Sequence, residues 1–142
     1  MTSMFHWIEA RAFCHATEDE EKVLAALHTV LPEGEVRRDA LEGHFGNPLV
    51  ILAARTETSP GTKSAWRRIA EALGPKEILQ DVEARIDEDL VYHLRLDKQR
   101  ACLGAIHRAG GADVIDVKAK VATFPRKREL AIQALRESVG GS

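Results

Sequence analysis

Residues 5–16 read FHWIEARAFCHA, and their hydropathy alternates with a period of two. This period is typical of a β-strand that turns one face to a core. The core face carries Ile8, Ala10, Ala12 and Cys14. The other face carries Phe5, Trp7, Glu9, Arg11, Phe13 and His15. Because the first face already supplies apolar side chains to the core, the mixed second face needs a cover of another kind.

Two covers are considered for this mixed face. One is RNA, stacked on the aromatic rings and paired to Arg11. The other is a second copy of the chain or simple packing within the sheet. We favour a dimer or sheet packing, because the carboxylate of Glu9 would repel phosphate.

The segment after this strand predicts the start of a helix. Thr17-Glu18-Asp19-Glu20 has the spacing of a capping box, in which Thr17 accepts from first-turn amides and Glu20 reaches back. Apolar residues then recur at intervals of three and four from Val23 to Leu31, and Pro32 ends the pattern.

Two further strands, Val36 to Glu42 and Leu49 to Glu57, are predicted to pair as a hairpin. Their connection is Gly43-His44-Phe45-Gly46-Asn47-Pro48, whose glycines allow positive φ or close backbone approach. His44 and Phe45 at its tip have aromatic faces that can stack on unpaired bases. The alternative is that Phe45 plugs the end of the core.

The second half of the chain predicts two strands among four helices. A helix that Gly74 closes is followed by a short one that Pro75 starts. A strand ending at Asp97 runs into a helix from Lys98 to Ile106. A strand from Ile115 to Val121 precedes a last helix that Pro125 opens.

The predicted order is β-α-β-β-α-α-β-α-β-α, with hairpins and no regular βαβ repeat. This order indicates an α+β fold, an antiparallel sheet with helices packed on one face. We expect a single domain over residues 1–139 and a frayed tail at 140–142.

The composition indicates an ordinary globular protein, with 44% hydrophobic and 30% charged residues. No apolar run approaches the roughly 20 residues that span a bilayer, and no secretory signal opens the chain. We therefore expect a soluble cytoplasmic protein with no membrane partner. Cys14 and Cys102 lie far apart in apolar patterns, which favours reduced thiols over a disulfide or a metal site.

Motifs that carry catalysis are missing from the sequence. The six histidines show no zinc-binding spacing, and there is neither a phosphate-binding glycine loop nor a Gly-x-Ser-x-Gly elbow. The acidic runs at 18–21 and 87–89 are typical of turns. We therefore expect no enzyme activity, no metal and no small-molecule cofactor.

The net charge of −2 conceals an uneven distribution. Residues 1–60 hold 5 Lys and Arg against 10 Asp and Glu, whereas residues 95–142 hold 10 against 5. We therefore expect an anionic partner to meet the C-terminal third. The alternative is a solvated surface whose charges are unevenly spread.

Two groups in this third are candidates for RNA contact. Arg95, Lys98 and Gln99 mark a strand-to-helix junction, where Asp97 is placed to cap the helix and the helix start attracts phosphate. The second group, which suggests contacts to the RNA backbone, comprises Lys118, Lys120, Arg126, Lys127 and Arg128. We expect both groups to converge on one accessible surface near Asn47-Pro48 and the start of the Lys98 helix.

Three segments of this chain resemble, in content and order, the marker segments of the archaeal family of predicted RNA-binding proteins or predicted exosome subunits. The segments are His15–Val23, Gly43–Pro48 and Arg95–Gln99. Family members look like the ribosomal protein that holds 5S ribosomal RNA, an α+β fold with an antiparallel sheet. The chain departs from the family at Arg100, where members more often have a small residue.

The resemblance implies a non-catalytic RNA-binding protein, an accessory factor of the archaeal exosome or of ribosome assembly and RNA processing. Structured or ribosomal RNA and exosome components are the implied partners. The residues that it assigns to binding are Gly43, His44, Gly46, Asn47, Pro48, Arg95, Asp97, Lys98 and Gln99. The alternative function is a homodimeric protein-interaction module without direct RNA binding.

Overall fold

The computed structural model describes residues 4–42 and 48–140. Within these residues strands and helices follow one another in the predicted order. They are β1 (Phe5–His15), α1 (Glu20–Val30), β2 (Glu35–Glu42), β3 (Pro48–Thr56), α2 (Ser59–Leu79), α3 (Val82–Arg85), β4 (Val91–Asp97), α4 (Lys98–Cys102), β5 (Val114–Val121) and α5 (Arg128–Ser138). The helix predicted to start at Pro75 is, however, the last part of a longer helix that a non-helical Gly74 interrupts, and a separate short helix begins only at Val82.

The five strands form one sheet in the order β2-β3-β1-β5-β4, and every neighbouring pair is antiparallel. Helices pack against one face, where Ile8, Ala10, Ala12 and Cys14 of β1 are buried as predicted. This arrangement confirms the predicted α+β class. We call the other side of the sheet the open face. The strand registers show that it carries the odd-numbered residues of β1 from Trp7 to His15 and the even-numbered residues of β5.

Trp66 of α2 lies at the centre of the core between two aromatic rings. Its ring centroid is 4.9 Å from that of Phe5 and 5.8 Å, edge-on, from that of Tyr92. The Trp66 Nε1 donates to Ser138 Oγ at 3.0 Å, which ties α5 to α2. The Tyr92 hydroxyl donates to the Ile78 carbonyl at 2.8 Å, and burial raises the pKa of Tyr92 to about 12.

The position of Phe5 corrects one prediction. Phe5 was expected on the mixed face of β1 but is buried in the core. The register with β5 shifts between Phe5 and Trp7, which face the consecutive residues Val121 and Lys120. This irregularity adds one residue to β1 and turns the Phe5 side chain to the helix side.

The predicted capping box at the start of α1 is also wrong. Residues 15–18 form a turn closed by the amide of Glu18 on the carbonyl of His15, so Thr17 lies before the helix. Asp19 is the N-cap, and its carboxylate accepts from the amide of Glu21 at 2.9 Å. The side chain of Glu20 does not reach back but pairs with Arg38 at 2.8 Å.

Two other helices differ in length from their predictions. α4 begins at Lys98 with Asp97 as the expected cap, accepting from the amide of Arg100 at 3.0 Å, but it ends at Cys102. α5 begins at Arg128 and not at Pro125, so Arg126 precedes the helix. No helix among residues 4–42 and 48–140 has the length and apolarity that crossing a bilayer requires.

Candidate nucleic-acid interface

Two of the three segments that carry the family resemblance, His15–Val23 and Arg95–Gln99, meet at one end of the sheet. β1 ends there at His15, β4 ends at Asp97 and β5 begins at Val114. β2 ends at Glu42 and β3 begins at Pro48 at this same end, which we call the marker end. The predicted binding residues Gly43, His44, Phe45, Gly46 and Asn47 lie outside the described residues, and only the backbone of Pro48 is described.

Lys98 occupies a buried position at the marker end. Its side chain is 1% exposed, and its ammonium donates to the Phe13 carbonyl at 2.9 Å. The same ammonium lies 2.9 Å from Glu18 and 2.8 Å from Asp113. The side-chain amide of Gln99 donates to the second carboxylate oxygen of Asp113 at 2.7 Å. We call Glu18, Lys98, Gln99 and Asp113 the buried-lysine cluster.

Within this cluster the Lys98 ammonium and its two carboxylate partners stabilise each other's charged forms. Burial disfavours the Lys98 ammonium, but hydrogen bonds to Asp113 and Glu18 outweigh it and raise the pKa of Lys98. Burial likewise disfavours the Glu18 carboxylate, but the hydrogen bond from Lys98 leaves its pKa lowered. The pKa of Asp113 is lowered too, since hydrogen bonds from Gln99 and Lys98 outweigh its burial. The Lys98 charge is thus compensated internally, and we remove Lys98 from the candidate phosphate contacts.

The remaining cations do not converge at the marker end, contrary to expectation. Arg95, Lys118 and Lys120 project from the open face of β4 and β5. β5 starts at the marker end and runs away from it for eight residues, about 23 Å at 3.3 Å per residue. Arg126 and Lys127 follow β5 and therefore lie toward the opposite end.

A groove of about 330 Å³ lies between α3 and the open face of β4 and β5. Arg85, His93, Arg95 and Lys118 line it, together with the carboxylate of Asp116. Asp116 lies 3.4 Å from Arg95, whose side chain is still 75% exposed. Arg85 was missed by sequence reasoning, because a four-residue helix has too few residues to show a periodic pattern.

His93 in this groove has an acidic partner outside it. Its Nε2 lies 2.8 Å from a carboxylate oxygen of Asp87. Burial disfavours the Asp87 carboxylate, but hydrogen bonds from His93 and from the amides of Val91 and Asp89 leave its pKa lowered. His93 is thus held in place at the groove by the turn before β4.

The cations outside the groove differ in whether their side chains are bound within the protein. Lys120 donates to the Asp89 carbonyl, and Arg128 donates to the carbonyls of Glu83 and Ile86. Arg128 thereby anchors the start of α5 to α3. Arg126 and Lys127 are exposed and have no ion pair within the described part of the chain. We call Arg85, Arg95, Lys118, Lys120, Arg126 and Lys127 the basic track.

The central part of the open face is more nearly neutral than the basic track. Arg55 lies 4.4 Å from the Trp7 ring centroid and pairs with Glu9 at 3.5 Å. The Arg11 guanidinium lies 5.5 Å from the centroid of Phe13. Glu9 is therefore already engaged by a cation. The excess of cations over carboxylates is larger along β4 and β5, where Arg95, Lys118 and Lys120 stand against Asp116.

The chemistry available to the basic track is electrostatic. Its arginines and lysines are charged at neutral pH and can hold phosphate groups by ion pairing and hydrogen bonding. Over the described ranges, no group of three His, Cys, Asp or Glu side chains is placed to hold a metal ion.

Comparisons with known proteins identify the family. A family model described as RNA binding matches residues 7–121, which include all of β4 and β5 and the buried-lysine cluster. An RNA-binding protein of Pyrococcus abyssi is 37% identical over 96% of this chain and 94% of its own. An uncharacterized protein of Methanocaldococcus jannaschii is 30% identical over 93% of this chain and 95% of its own length.

A solved structure agrees with the sequence matches. The structure of a DUF54 protein from Methanothermobacter thermautotrophicus superposes with a TM-score of 0.85 at 34% identity, covering 96% of this chain and 99% of that one. Sequence and fold therefore agree across nearly the whole chain. This protein belongs to the archaeal family described as RNA binding.

Proposed function

We propose that this protein binds RNA through the basic track and catalyses no reaction. The observation that carries the proposal is the match of residues 7–121 to the RNA-binding family, because the matched region contains the cationic groove. The similarity to an RNA-binding protein of Pyrococcus abyssi supports the same function.

The contacts that the track favours are contacts to the RNA backbone. Lys118 and Lys120 lie two residues apart on one face of β5, about 7 Å along the strand. Arg95 of β4 lies opposite Asp116 of β5 and extends the cationic surface across the sheet. Phosphate contacts of this kind position the nucleic acid without reading bases, and they weaken as salt rises.

The finer assignment is an accessory factor of the archaeal exosome, or of ribosome assembly and RNA processing, in the cytoplasm. Its support is the resemblance of the three marker segments. In this proposal the RNA is structured or ribosomal, and the loop of Gly43 to Asn47 with Pro48 makes a second contact at the marker end. Gln99 is exposed at the start of α4, although its side-chain amide already donates to Asp113.

The test is a titration of labelled structured and single-stranded RNA at two salt concentrations. The double variant Arg95→Ala/Lys118→Ala should bind both RNAs more weakly, with a log–log salt slope flatter by about 2. The matched control is Arg67→Ala/Lys76→Ala, which removes two exposed cations from α2 on the other side of the sheet. Binding that is indifferent to salt, or absent at micromolar protein, would contradict the proposal.

A second candidate function is a homodimeric interaction module. The observation that favours it is an apolar patch on the open face near the marker end, where Phe13 is 41% exposed and Leu41 is 48% exposed. Light scattering of the wild type and of Phe13→Ser distinguishes the two candidates. A dimer that Phe13→Ser abolishes while RNA affinity is unchanged would favour the interaction module.

A further inference from the structure

Phe124 is the most exposed large apolar side chain among the described residues, with 99% of its surface accessible. It lies in the segment between β5 and α5, whose two ends are hydrogen-bonded to other parts of the chain. The amide of Ala122 donates to the Met4 carbonyl at 2.8 Å, and the Thr123 hydroxyl donates to the Pro125 carbonyl at 3.0 Å. Arg128 anchors the other end to α3. The ring is therefore presented to solvent by an anchored loop.

Two cationic residues follow Phe124 closely in the sequence. Arg126 and Lys127 follow within three residues, and both side chains are exposed. Glu129, in the first turn of α5, is the nearest acidic residue along the chain. An aromatic face beside unpaired cations is the combination that proteins use to bind single-stranded nucleic acid, with the ring under a base and the cations on phosphates.

The loop also continues the basic track. Lys118 and Lys120 point from the open face of β5, and the chain reaches Phe124 four residues after Lys120. Phe124 therefore follows the two lysines at the end of β5 that lies away from the marker end.

We propose that Phe124 stacks on an unpaired base of the RNA that the basic track holds. The ligand class is then RNA with a single-stranded segment and not a continuous duplex. The inference rests on the proposed function and specifies its ligand. Bases within a duplex are already stacked on each other, whereas an unpaired base can present its face to a ring. Arg126 and Lys127 contact the phosphates beside that base.

The experiment compares wild type, Phe124→Ala, Phe124→Tyr and the control Leu103→Ala. Leu103 is 86% exposed in the turn after α4, so its removal deletes a similar exposed apolar side chain elsewhere. Each protein is titrated with a labelled single-stranded RNA of mixed sequence and with a blunt duplex that contains the same strand. Circular dichroism and thermal melting check that every variant folds.

We expect Phe124→Ala to weaken single-strand binding by about 5- to 150-fold, the range that corresponds to one stacked base. Phe124→Tyr should retain most of the affinity, because it keeps the aromatic ring, and Leu103→Ala should equal wild type. The salt slope of Phe124→Ala should match that of wild type, since no charge is removed. Duplex affinity should be the same for all four proteins.

Other outcomes separate this inference from the proposed function. Equal single-strand affinity of Phe124→Ala and wild type would overturn the inference and leave backbone binding intact. An equal loss for single strand and duplex would also overturn it, because stacking on an unpaired base cannot explain a duplex effect. Failure of wild type to bind either RNA would overturn both proposals.

Discussion

The buried-lysine cluster and the basic track both use cations of the C-terminal third, which in the track are joined by Arg85, yet they use them in opposite ways. Lys98 is 1% exposed and has two carboxylates within 2.9 Å. Arg126 and Lys127 are exposed and have no ion pair in the described ranges. A cation in the sequence is therefore a candidate for RNA contact only when folding leaves its side chain in water, as it does for Arg95 even though Asp116 lies 3.4 Å away.

The comparison also separates the marker segments from the binding surface that we propose. Glu18, Asp97, Lys98 and Gln99 belong to marker segments, and each makes a contact within the protein that joins or caps structural elements. Removal of the buried cation is costly, because the Phe13 carbonyl loses its donor and two partly exposed carboxylates are left close together without a counter-charge. The resemblance thus rests in part on residues that hold the fold.

The largest predicted effect is on folding. Lys98→Ala leaves Glu18 and Asp113 together without a counter-charge and deprives the Phe13 carbonyl of its donor. We expect the free energy of unfolding to fall by about 2–3 kcal/mol, less than for a fully buried ion pair, because the two carboxylates left behind are partly exposed. Urea denaturation measures it, with Lys120→Ala as the control, which should stay within about 0.5 kcal/mol of wild type. Equal losses in the two variants would erase the contrast between the two regions.

A smaller effect is expected from acid. The folded pKa values of Glu18 and Asp113 are lowered, so their contribution to stability is complete above their ordinary values near 4 and is lost as the pH falls through the lowered values. The raised pKa of Lys98 makes its contribution complete below about 10.4 and lost only above its raised value. Both carboxylates are partly exposed, which reduces the size of the effect.

The measurement is the urea midpoint of wild type and Lys98→Ala between neutral pH and pH about 2.5, a range that brackets the carboxylate values. Wild type should lose stability more steeply below pH about 4, because only its carboxylates are held charged by Lys98. Parallel curves for the two proteins would show that Lys98 does not set the pKa of its partners.

A change of about 1 kcal/mol is expected where α1 borders the buried-lysine cluster. Asp19→Ala removes the N-cap acceptor and should cost about 1 kcal/mol, as N-cap removals typically do. Thr17→Ala, in the preceding turn, should cost less than about 0.5 kcal/mol. Thermal and urea unfolding of the two variants decide between Asp19 and Thr17 as the N-cap. A larger loss of stability in Thr17→Ala than in Asp19→Ala would support the capping box instead.

The smallest effect on folding is expected in the basic track. Lys118→Ala should alter the free energy of unfolding by less than about 0.5 kcal/mol, because the side chain is partly exposed on the open face. Its effect should appear in RNA binding, as a salt slope flatter by about 1. A variant that loses stability but keeps its salt slope would place Lys118 with Lys98 as a structural residue.

Local periodicity was sufficient to predict the element order and the core face of β1. Ile8, Ala10, Ala12 and Cys14 are buried because the two-residue period of a strand is a local property. The same reasoning failed for Phe5, because a shift in register is invisible until the partner strand is known. It also misplaced the start of α5, where Pro125 can open a helix but need not.

The role of Lys98 could not be predicted from its neighbours in the sequence. Its partner Glu18 lies 80 residues away, and only the packing of α4 beside the end of β1 brings the two together. Arg85 and Phe124 were missed for a different reason, since a short helix and a loop give no periodic pattern. Contacts between distant segments decide which charges are buried, and these contacts depend on the tertiary fold.

The two tryptophans have a practical consequence for spectroscopy. Trp66 is enclosed by the helical layer, whereas Trp7 is on the open face beneath the Arg55 guanidinium. A protein with Trp7→Phe would fluoresce from the core alone, and one with Trp66→Phe from the ligand-accessible side alone. The two sides of a single sheet thus carry separate optical reporters, so that unfolding and occupancy of the surface can be followed independently without an added dye.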